Sequence, residues 1–510
     1  MTAFPVPLQL VALAPALPLV AALLIAATRL FARTHAEATE RLTAALTLAA
    51  AVPALLLLLA YAALGLFHGW PGQTSLGDWF AAGDWHVPLS FTLDGLSLGF
   101  ASVAAFITLA TLKFAFNYMH REAGFHRFFV GMNLFSGGIL LVVLAGNAAL
   151  VFVGWELMGL ASWLLIGYAF ERPTATVNAQ RAFLTNRVGD AGLLFAIALS
   201  TLWVGGLDWP ALAAGSDRLP TLYVSLIALG FVTAALAKSA QLPFTPWITR
   251  ALEGPTPSSA IFYGAVMVHA GVVLLVRLEP VLVQTPGVLF LIALLGALTA
   301  IYGWLVGYVQ SDVKSALLFA VVAQVGLMFL AIGLGWFELA AWHAALHALW
   351  RGWQFLAAPS YMHLLDAPTP PAPAWLARHQ WLYTAALQRF WIEALSDRLL
   401  TQPTRALARD LHAIDENVVS RLVGMSETQR AAELLAPSEE VVKGRGLAGR
   451  LLVWSAQRFD RFEQRLVLQG GGHLGRGLAR LGVWLRFVES LLEQPRYLLV
   501  LIMATIVVIL

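Results

Sequence analysis

Apolar residues run through most of this chain in blocks of about twenty, separated by short polar connections. The blocks lie near 8–30, 43–67, 93–116, 128–146, 148–170, 187–205, 221–248, 256–278, 287–309, 314–334, 337–363 and 495–510. At 1.5 Å per helical residue, such a block crosses a hydrocarbon core of about 30 Å. Helices are the open-chain way to satisfy every backbone group in lipid. The pattern therefore predicts an all-α, polytopic membrane protein of about twelve transmembrane helices. Residues 380–490 break it. They are rich in Arg and Glu, yet apolar positions recur at helical spacing, as in Phe459, Phe462, Leu466 and Val467, and again from Leu478 to Leu492. That spacing fits amphipathic helices lying along the membrane or a partner, with Arg450, Arg458, Arg461 and Arg465 at the headgroups and Gly470, Gly471 and Gly472 as a break. A small cytoplasmic domain is the alternative.

Composition supports lipid as the main solvent. Of 510 residues, 59% are hydrophobic and 12% charged, half the roughly 25% charged share of soluble domains. Lysine occurs only at Lys113, Lys238, Lys314 and Lys443. A formal net charge of +3 is too mild to argue for nucleic acid. The absence of cysteine excludes disulfides, thiolate metal sites and thiol catalysis. No basic stretch precedes the first apolar block, which reads as a retained span and not a signal peptide. Positive charge sets orientation. Arg29, Arg33 and Arg41, then Lys113, Arg121 and Arg127, then Arg172, Arg181 and Arg187 mark alternate connections, while residues 68–91 carry Asp78 and Asp84 without Lys or Arg. Both termini are expected outside, with the 380–490 segment cytoplasmic.

Against this background a few charges stand out. Glu156 and Lys238 fall deep inside apolar blocks, where each would cost about 2.5–3.5 kcal/mol at the bilayer centre. Such groups persist by facing the protein interior, pairing, or carrying ions. A structural ion pair is the plainer reading of the two. Pro243 and Pro246 follow Lys238 and should break the helix there. Transporters place ion sites at such breaks, and packing alone is the alternative. His343, His347 and Arg351 repeat every four residues and share one helical face. Histidines so stacked can relay protons. The HxxxH spacing also suits a metal pair, but no carboxylate completes it and Trp350 and Trp353 crowd it, so no metal or other cofactor is expected. His269, on an earlier block, is either a further relay member or a hydrogen-bonded core residue. Asp312 and Lys314 open a block, where Asp312 suits a helix cap and Lys314 can reach the surface. Nothing here forms a nucleophile triad or phosphate loop, so any catalysis belongs to a partner.

These motifs resemble, in order, those of the antiporter-like membrane subunits of bacterial complex I and of Mrp cation/proton antiporters. GWELMGLASWLLIGY, with Asn186-Arg187-Val188-Gly189-Asp190 after it, is similar to the family core. AKSAQLPFTPWITRALEGPTPSSA, which includes Glu253, resembles its lysine-bearing broken helix and the loop that follows. SDVKSALLFAVVAQVGLMFLAIG, WHAALHALWRGWQFLAAPSYMH and DGLSLGFASVAAFIT resemble three further segments, so that the likeness covers roughly residues 90–365. It implies two inverted five-helix repeats, each with a half-channel, joined by a polar axis at mid-membrane. Glu156 and Lys238 become the coupled pair of the first half-channel, His343 and His347 part of the axis. Asp190, Glu253, Asp312, Lys314, Pro243 and Pro246 are supporting residues. The implied organisation is 1–92 N-terminal helices, 93–280 first repeat, 281–365 partial second repeat, 366–493 linker and amphipathic helices, and 494–510 a C-terminal anchor.

Three departures from the family pattern bear on function. The family's histidine after the Pro-Thr-Pro loop is Tyr263 here, with His269 one and a half turns later. The lysine after the double histidine is Arg351, which stays charged and can serve only as a counter-charge. After His363 come the Pro-rich APTPPAPAW and then FWIEALSDRLLTQPTRALARDL, so the second broken helix and its lysine are missing. That shortening resembles the membrane subunits of DAB-type inorganic-carbon accumulation complexes. The resemblance implies a proton-translocating subunit that drives a large soluble zinc-binding, β-carbonic-anhydrase-like partner for CO2 or bicarbonate uptake. The alternatives are a subunit of a complex I-like or Mrp-type assembly, with respiratory or Mrp subunits as partners, or a non-conducting scaffold.

Overall fold

The computed structural model describes residues 4–31, 37–82, 85–358, 372–398 and 402–414. The chain divides into two compact units, Met1–Ala394 and Leu395–Leu510. The first is a helical bundle whose long members are α1 (Leu13–Phe31), α2 (Glu37–His68), α3 (Gly95–Tyr118), α4 (Phe125–Leu144), α5 (Ala148–Ile166) and α6 (Pro173–Trp203). After the short α7 (Trp209–Ser216) come α8 (Thr221–Lys238), α9 (Pro246–Arg250), α10 (Thr256–Ser259), α11 (Ala270–Arg277) and α12 (Glu279–Leu282). Long helices α13 (Pro286–Gly307), α14 (Val313–Gly333) and α15 (Phe337–Ala357) follow, then α16 (Ala374–Arg378), α17 (Gln380–Leu387) and α18 (Ile392–Ser396). In the second unit the described helix is α19 (Gln402–Ile414), with Leu407 and Leu411 on one side.

Among the described residues, ten helical stretches are long and apolar enough to cross a membrane, matching the first ten expected blocks. The eleventh, α15, has the length but falls short in hydropathy. The twelfth block, the amphipathic positions from Arg450 to Leu492 and most of the linker lie outside the described residues. The polar stretch 68–91 is not a plain loop. It forms an antiparallel hairpin of β1 (Gly72–Ala82) and β2 (Trp85–Leu93), with Gly72 opposite Leu93 and Phe80 opposite Val87.

The core sits around α4, which is almost wholly enclosed, with Phe128, Phe129, Met132, Phe135 and Ile139 inaccessible to solvent. Membrane helices gain cohesion from close packing more than from apolar burial, so small residues mark their contacts. A Cβ on Gly138 would lie 2.9 Å from the Met158 nitrogen and 3.0 Å from the Gly154 carbonyl, which is how closely α4 and α5 approach.

The hairpin end is tied by polar contacts. Asn147 caps α5 through the Leu150 N–H (2.8 Å) and donates to the Pro88 carbonyl (2.7 Å), while the Ser90 hydroxyl donates to Asp208 (3.1 Å). Burial pushes the Asp208 carboxyl up, against the Ser90 donor. Asp94 caps α3 through the Ser97 N–H (2.8 Å) and takes a two-pronged bond from Arg277 at the end of α11. Burial would raise the Asp94 carboxyl, but Arg277 and Ser97 outweigh it and hold the group below the usual carboxylate range. At the opposite end, Lys314 donates to Thr256 (2.7 Å), Arg172 pairs with Glu253 (3.3 Å), and Asp312 caps α14 through Ser315 (2.8 Å).

Candidate functional site

The proline-bearing sequence after Lys238 does break the helix. Helix α8 stops at Lys238, Ala240 takes a left-handed φ of 51°, and α9 starts at Pro246. The freed backbone groups find partners inside the protein: the Trp247 indole donates to the Ala237 carbonyl (2.8 Å), and the Leu242 N–H donates to the Thr299 hydroxyl (3.0 Å). A break inside a membrane requires this, since an orphaned peptide group there is costly. The next span is irregular too. Between α10 and α11 the chain passes through a π-helical turn at Ala260–Ala265 and a 3-10 turn at Met267–His269. Such insertions are frequent at functional sites.

Lys238 is fully buried, and its ammonium lies 3.8 Å from the Asp190 carboxylate of α6. It also reaches the Trp155 carbonyl (3.5 Å) and stands 5.1 Å from the centre of that indole. Asp190 is 4% exposed and pairs at 2.8 Å with Arg187, one turn earlier on α6. Arg187 in turn donates to Glu156 on α5. The four side chains thus form a row, Glu156–Arg187–Asp190–Lys238, of two acids and two bases on three helices. The sequence reading coupled Glu156 to Lys238; the structure interposes Arg187 and Asp190 between them. In the sequence Arg187 marks orientation and belongs to the motif Asn186–Asp190, and its three-residue spacing from Asp190 puts both on one side of α6. Gly159 makes room for the row. A Cβ there would stand 2.9 Å from Arg187 Nη2 and 3.4 Å from Lys238 Nζ.

A second polar group lies on α15 and the irregular span. His269, fully buried, meets His347 with 2.9 Å between its Nε2 and His347 Nδ1. Arg351 Nε donates to His347 Nε2 (3.3 Å) and Arg351 Nη1 to Gln354 (2.7 Å). An acceptor role at Nε2 assigns the proton of a neutral His347 to Nδ1, which then donates to His269. His343 lies one turn away, its ring 6.0 Å from that of His347 and its Nε2 2.8 Å from Gln324 of α14. Tyr263 is fully buried, with its ring 5.9 Å from Phe355. Between the two groups, α11 packs onto the end of α8 with Gly271 against Ser239, the residue after Lys238. The buried oxygens of Ser239, Gln241, Asn186 and Tyr263 have no hydrogen-bond partner among the described residues.

Asp312, Lys314 and Glu253 lie apart from both groups, at the bundle end described above. A third cluster went unread in the sequence. Glu393 of α18 accepts from Arg250 of α9 and from Arg389, both at 2.5 Å. Burial acts to raise the Glu393 carboxyl, and the two arginines outweigh it and hold it below the usual range. Arg389, Phe390 and Trp391 all have left-handed φ (50°, 54° and 53°), and the Phe390 ring lies 6.0 Å from Tyr302 of α13. The start of the segment expected to lie along the membrane surface therefore packs against the broken helix and α13.

Comparison with known proteins bears on this arrangement. Residues 145–366 match the family model described as NADH:quinone oxidoreductase/Mrp antiporter, TM, and residues 79–129 match that of NADH-Ubiquinone oxidoreductase (complex I), chain 5 N-terminus. The chain is 36% identical over 372 residues to the chloroplastic NAD(P)H-quinone oxidoreductase subunit 5 of Nephroselmis olivacea, covering 70% of this chain and 56% of that protein. It is 38% identical over 293 residues to NADH-quinone oxidoreductase subunit L of Escherichia coli (strain K12), covering 56% of this chain and 47% of that one. The chain spans about half the length of the curated relatives it matches. Among solved structures, the Mrp complex from Dietzia sp. DQ12-45-1b shares the fold at a TM-score of 0.57 and 22% identity, covering 97% of this chain and 62% of that chain. An archaeal respiratory complex, the membrane-bound sulfane sulfur reductase, gives a TM-score of 0.57 at 22% identity, covering 68% of this chain and 55% of that chain. Over residues 79–129 and 145–366, then, this chain is similar to the membrane subunits of the NADH:quinone oxidoreductase/Mrp antiporter family.

Proposed function

We propose that this chain translocates protons across a bacterial inner membrane as one subunit of a larger complex, with its termini outside. The observation that carries the reading is the neutral row Glu156–Arg187–Asp190–Lys238 ending at a proline-broken helix. A structural ion pair needs two members. A row of alternating sign, ending on a buried lysine beside a break, lets a proton gained at one end shift the charge balance along the rest. Protonating Glu156 weakens its hold on Arg187, which then turns more fully to Asp190 and alters the field at Lys238. Just past Lys238, the unpartnered oxygens of Ser239, which lies against Gly271 of α11, and of Gln241 are of the kind that ordered water satisfies. His269, His347 and His343 continue that polar line, and Arg351 fixes the tautomer without releasing a proton itself.

The relatives named above are quinone oxidoreductase subunits and the shared fold includes an Mrp complex. They favour a complex I-like or Mrp-type assembly, with respiratory or Mrp subunits as partners, over energy-coupled CO2 or bicarbonate uptake. One observation keeps the carbon reading as a second one. The Glu393 segment, soon after the proline-rich linker, bonds directly to the first repeat at Arg250, where a second broken helix would otherwise intervene. In that reading a large soluble zinc-binding, β-carbonic-anhydrase-like protein is the partner.

The test is reconstitution in vesicles with an internal pH-sensitive dye, driven by a potassium diffusion potential. Proton entry should depend on the protein and vanish in Glu156→Gln. Entry that persists in the variant overturns the path. Mass spectrometry of the complex purified from native membranes then separates the readings, by respiratory or Mrp subunits on one side and a zinc protein on the other.

A further inference from the structure

Helix α15 has two faces of opposite character. Ala340, Ala344, His347, Ala348 and Phe355 are buried against the bundle. On the other side Leu339, Trp342, Leu346, Trp350 and Trp353, three or four residues apart, are 55–67% exposed. An apolar stripe alone is what lipid would cover. Along its edge, however, runs a half-buried polar rim of His343, Arg351 and Gln354, with Gln324 from α14. Among the described residues Arg351 bonds only neutral groups, His347 and Gln354, and no carboxylate lies within ion-pair distance of it. This is also the helix that has the length to span a membrane and yet is too polar to qualify, among neighbours that do. Polar and charged groups at membrane depth face protein or water, not hydrocarbon, because lipid offers them no partner.

We infer that the open face of α15 is the seat of a transmembrane helix from a partner protein, which brings an Asp or Glu to Arg351. Charge decides among occupants. A second copy of this chain related by a two-fold axis would set Arg351 against Arg351 across a self-complementary interface. The expected last span of this chain, 495–510, contains no acid, and its acid-bearing 380–490 segment is patterned to lie along the membrane, not across it. A helix of another membrane protein, with one carboxylate at the level of Arg351 and small or apolar residues against the tryptophans, satisfies both the charge and the stripe. The inference requires only that α15 stand in the membrane; it holds whether or not the chain conducts protons.

The chain has no cysteine, so single-cysteine variants report one position each. Leu346→Cys and Trp353→Cys, carrying a benzophenone maleimide, are irradiated in native membranes of the full complex. Phe290→Cys on α13, where Phe290 is 68% exposed, serves as the lipid-facing control. The expected result is a protein adduct from positions 346 and 353 but not 290, whose cross-linked peptide is a membrane-spanning segment with an Asp or Glu. Adding Arg351→Glu should lower that yield about tenfold, the scale of one lost ion pair, and reversing the partner's acid to Arg should restore it. Lipid adducts alone, an adduct with a second copy, or an adduct with residues 359–371 or 415–510 of the same chain overturns the inference. So does a partner segment without an acid, or a failure of charge reversal to restore the yield.

Discussion

Lys238 and Asp190 are nearly inaccessible, at 0% and 4%, and stand 3.8 Å apart. Removing either leaves a net charge in a row that is otherwise neutral. Lys238→Met leaves two acids sharing Arg187; Asp190→Asn leaves Lys238 buried with no adjacent carboxylate. Breaking a buried pair from one side typically costs about 3–5 kcal/mol, and each single variant should lose stability on that scale. The double variant restores neutrality, because Glu156 and Arg187 remain paired. Coulomb attraction at 3.8 Å with an effective dielectric of about 20 is about 4 kcal/mol. The double variant should therefore be less destabilised than the sum of the singles by about 4 kcal/mol, the coupling that a double-mutant cycle isolates. Reversible unfolding in mixed micelles, titrated with a denaturing detergent, reads the stability. Dye-loaded vesicles read proton entry, which should be lost in both singles and should stay lost in the double. Simple additivity of the two losses would refute the pairing. Proton entry restored in the stable double variant would reduce the row to a structural tie between helices.

Gly159→Ala places a methyl 2.9 Å from Arg187 Nη2 and 3.4 Å from Lys238 Nζ. It should cost about 1–3 kcal/mol by overpacking and slow proton entry by shifting Arg187; wild-type rates in the vesicle assay would mean that the row tolerates displacement. His347 bonds on both ring nitrogens, to His269 and to Arg351. His347→Ala should thus lower proton entry more than His269→Ala, and the reverse ranking would take the path away from α15.

The two polar groups depend on irregular backbone for their placement. Lys238 is the last residue of its helix, and His269 lies at the end of a 3-10 turn that follows a π-helical one. At the break after Lys238 the loosened peptide groups are satisfied by the Trp247 and Thr299 side chains. A regular helix would spend those groups on its own ladder and offer no side for a buried cation to approach.

Much of this was legible in the order of residues alone. Runs of apolar residues about twenty long can satisfy their backbone in lipid only as helices, so the number and position of the first ten spans followed from length and hydropathy. The break after Lys238 followed as well, since proline removes a donor wherever it stands. Glu156, Lys238, His343 and His347 drew notice because ionisable groups inside apolar runs are costly. What only the tertiary structure decided was who meets whom. Arg187 looked like a charge at a helix end, until the crossing of α5, α6 and α8 put it between Glu156 and Asp190. His269 and His347 are 78 residues apart and touch because α11 and α15 pack side by side. Glu393, in a stretch read as surface helix, turned out to grip Arg250, a contact spanning 143 residues. The reason is one of range: helix formation and membrane insertion are governed by neighbours a few residues away, which a sequence displays directly. Ion-pair partners are chosen by the packing of helices distant in the chain, and several acids and bases of this sequence satisfy the same local rules equally well.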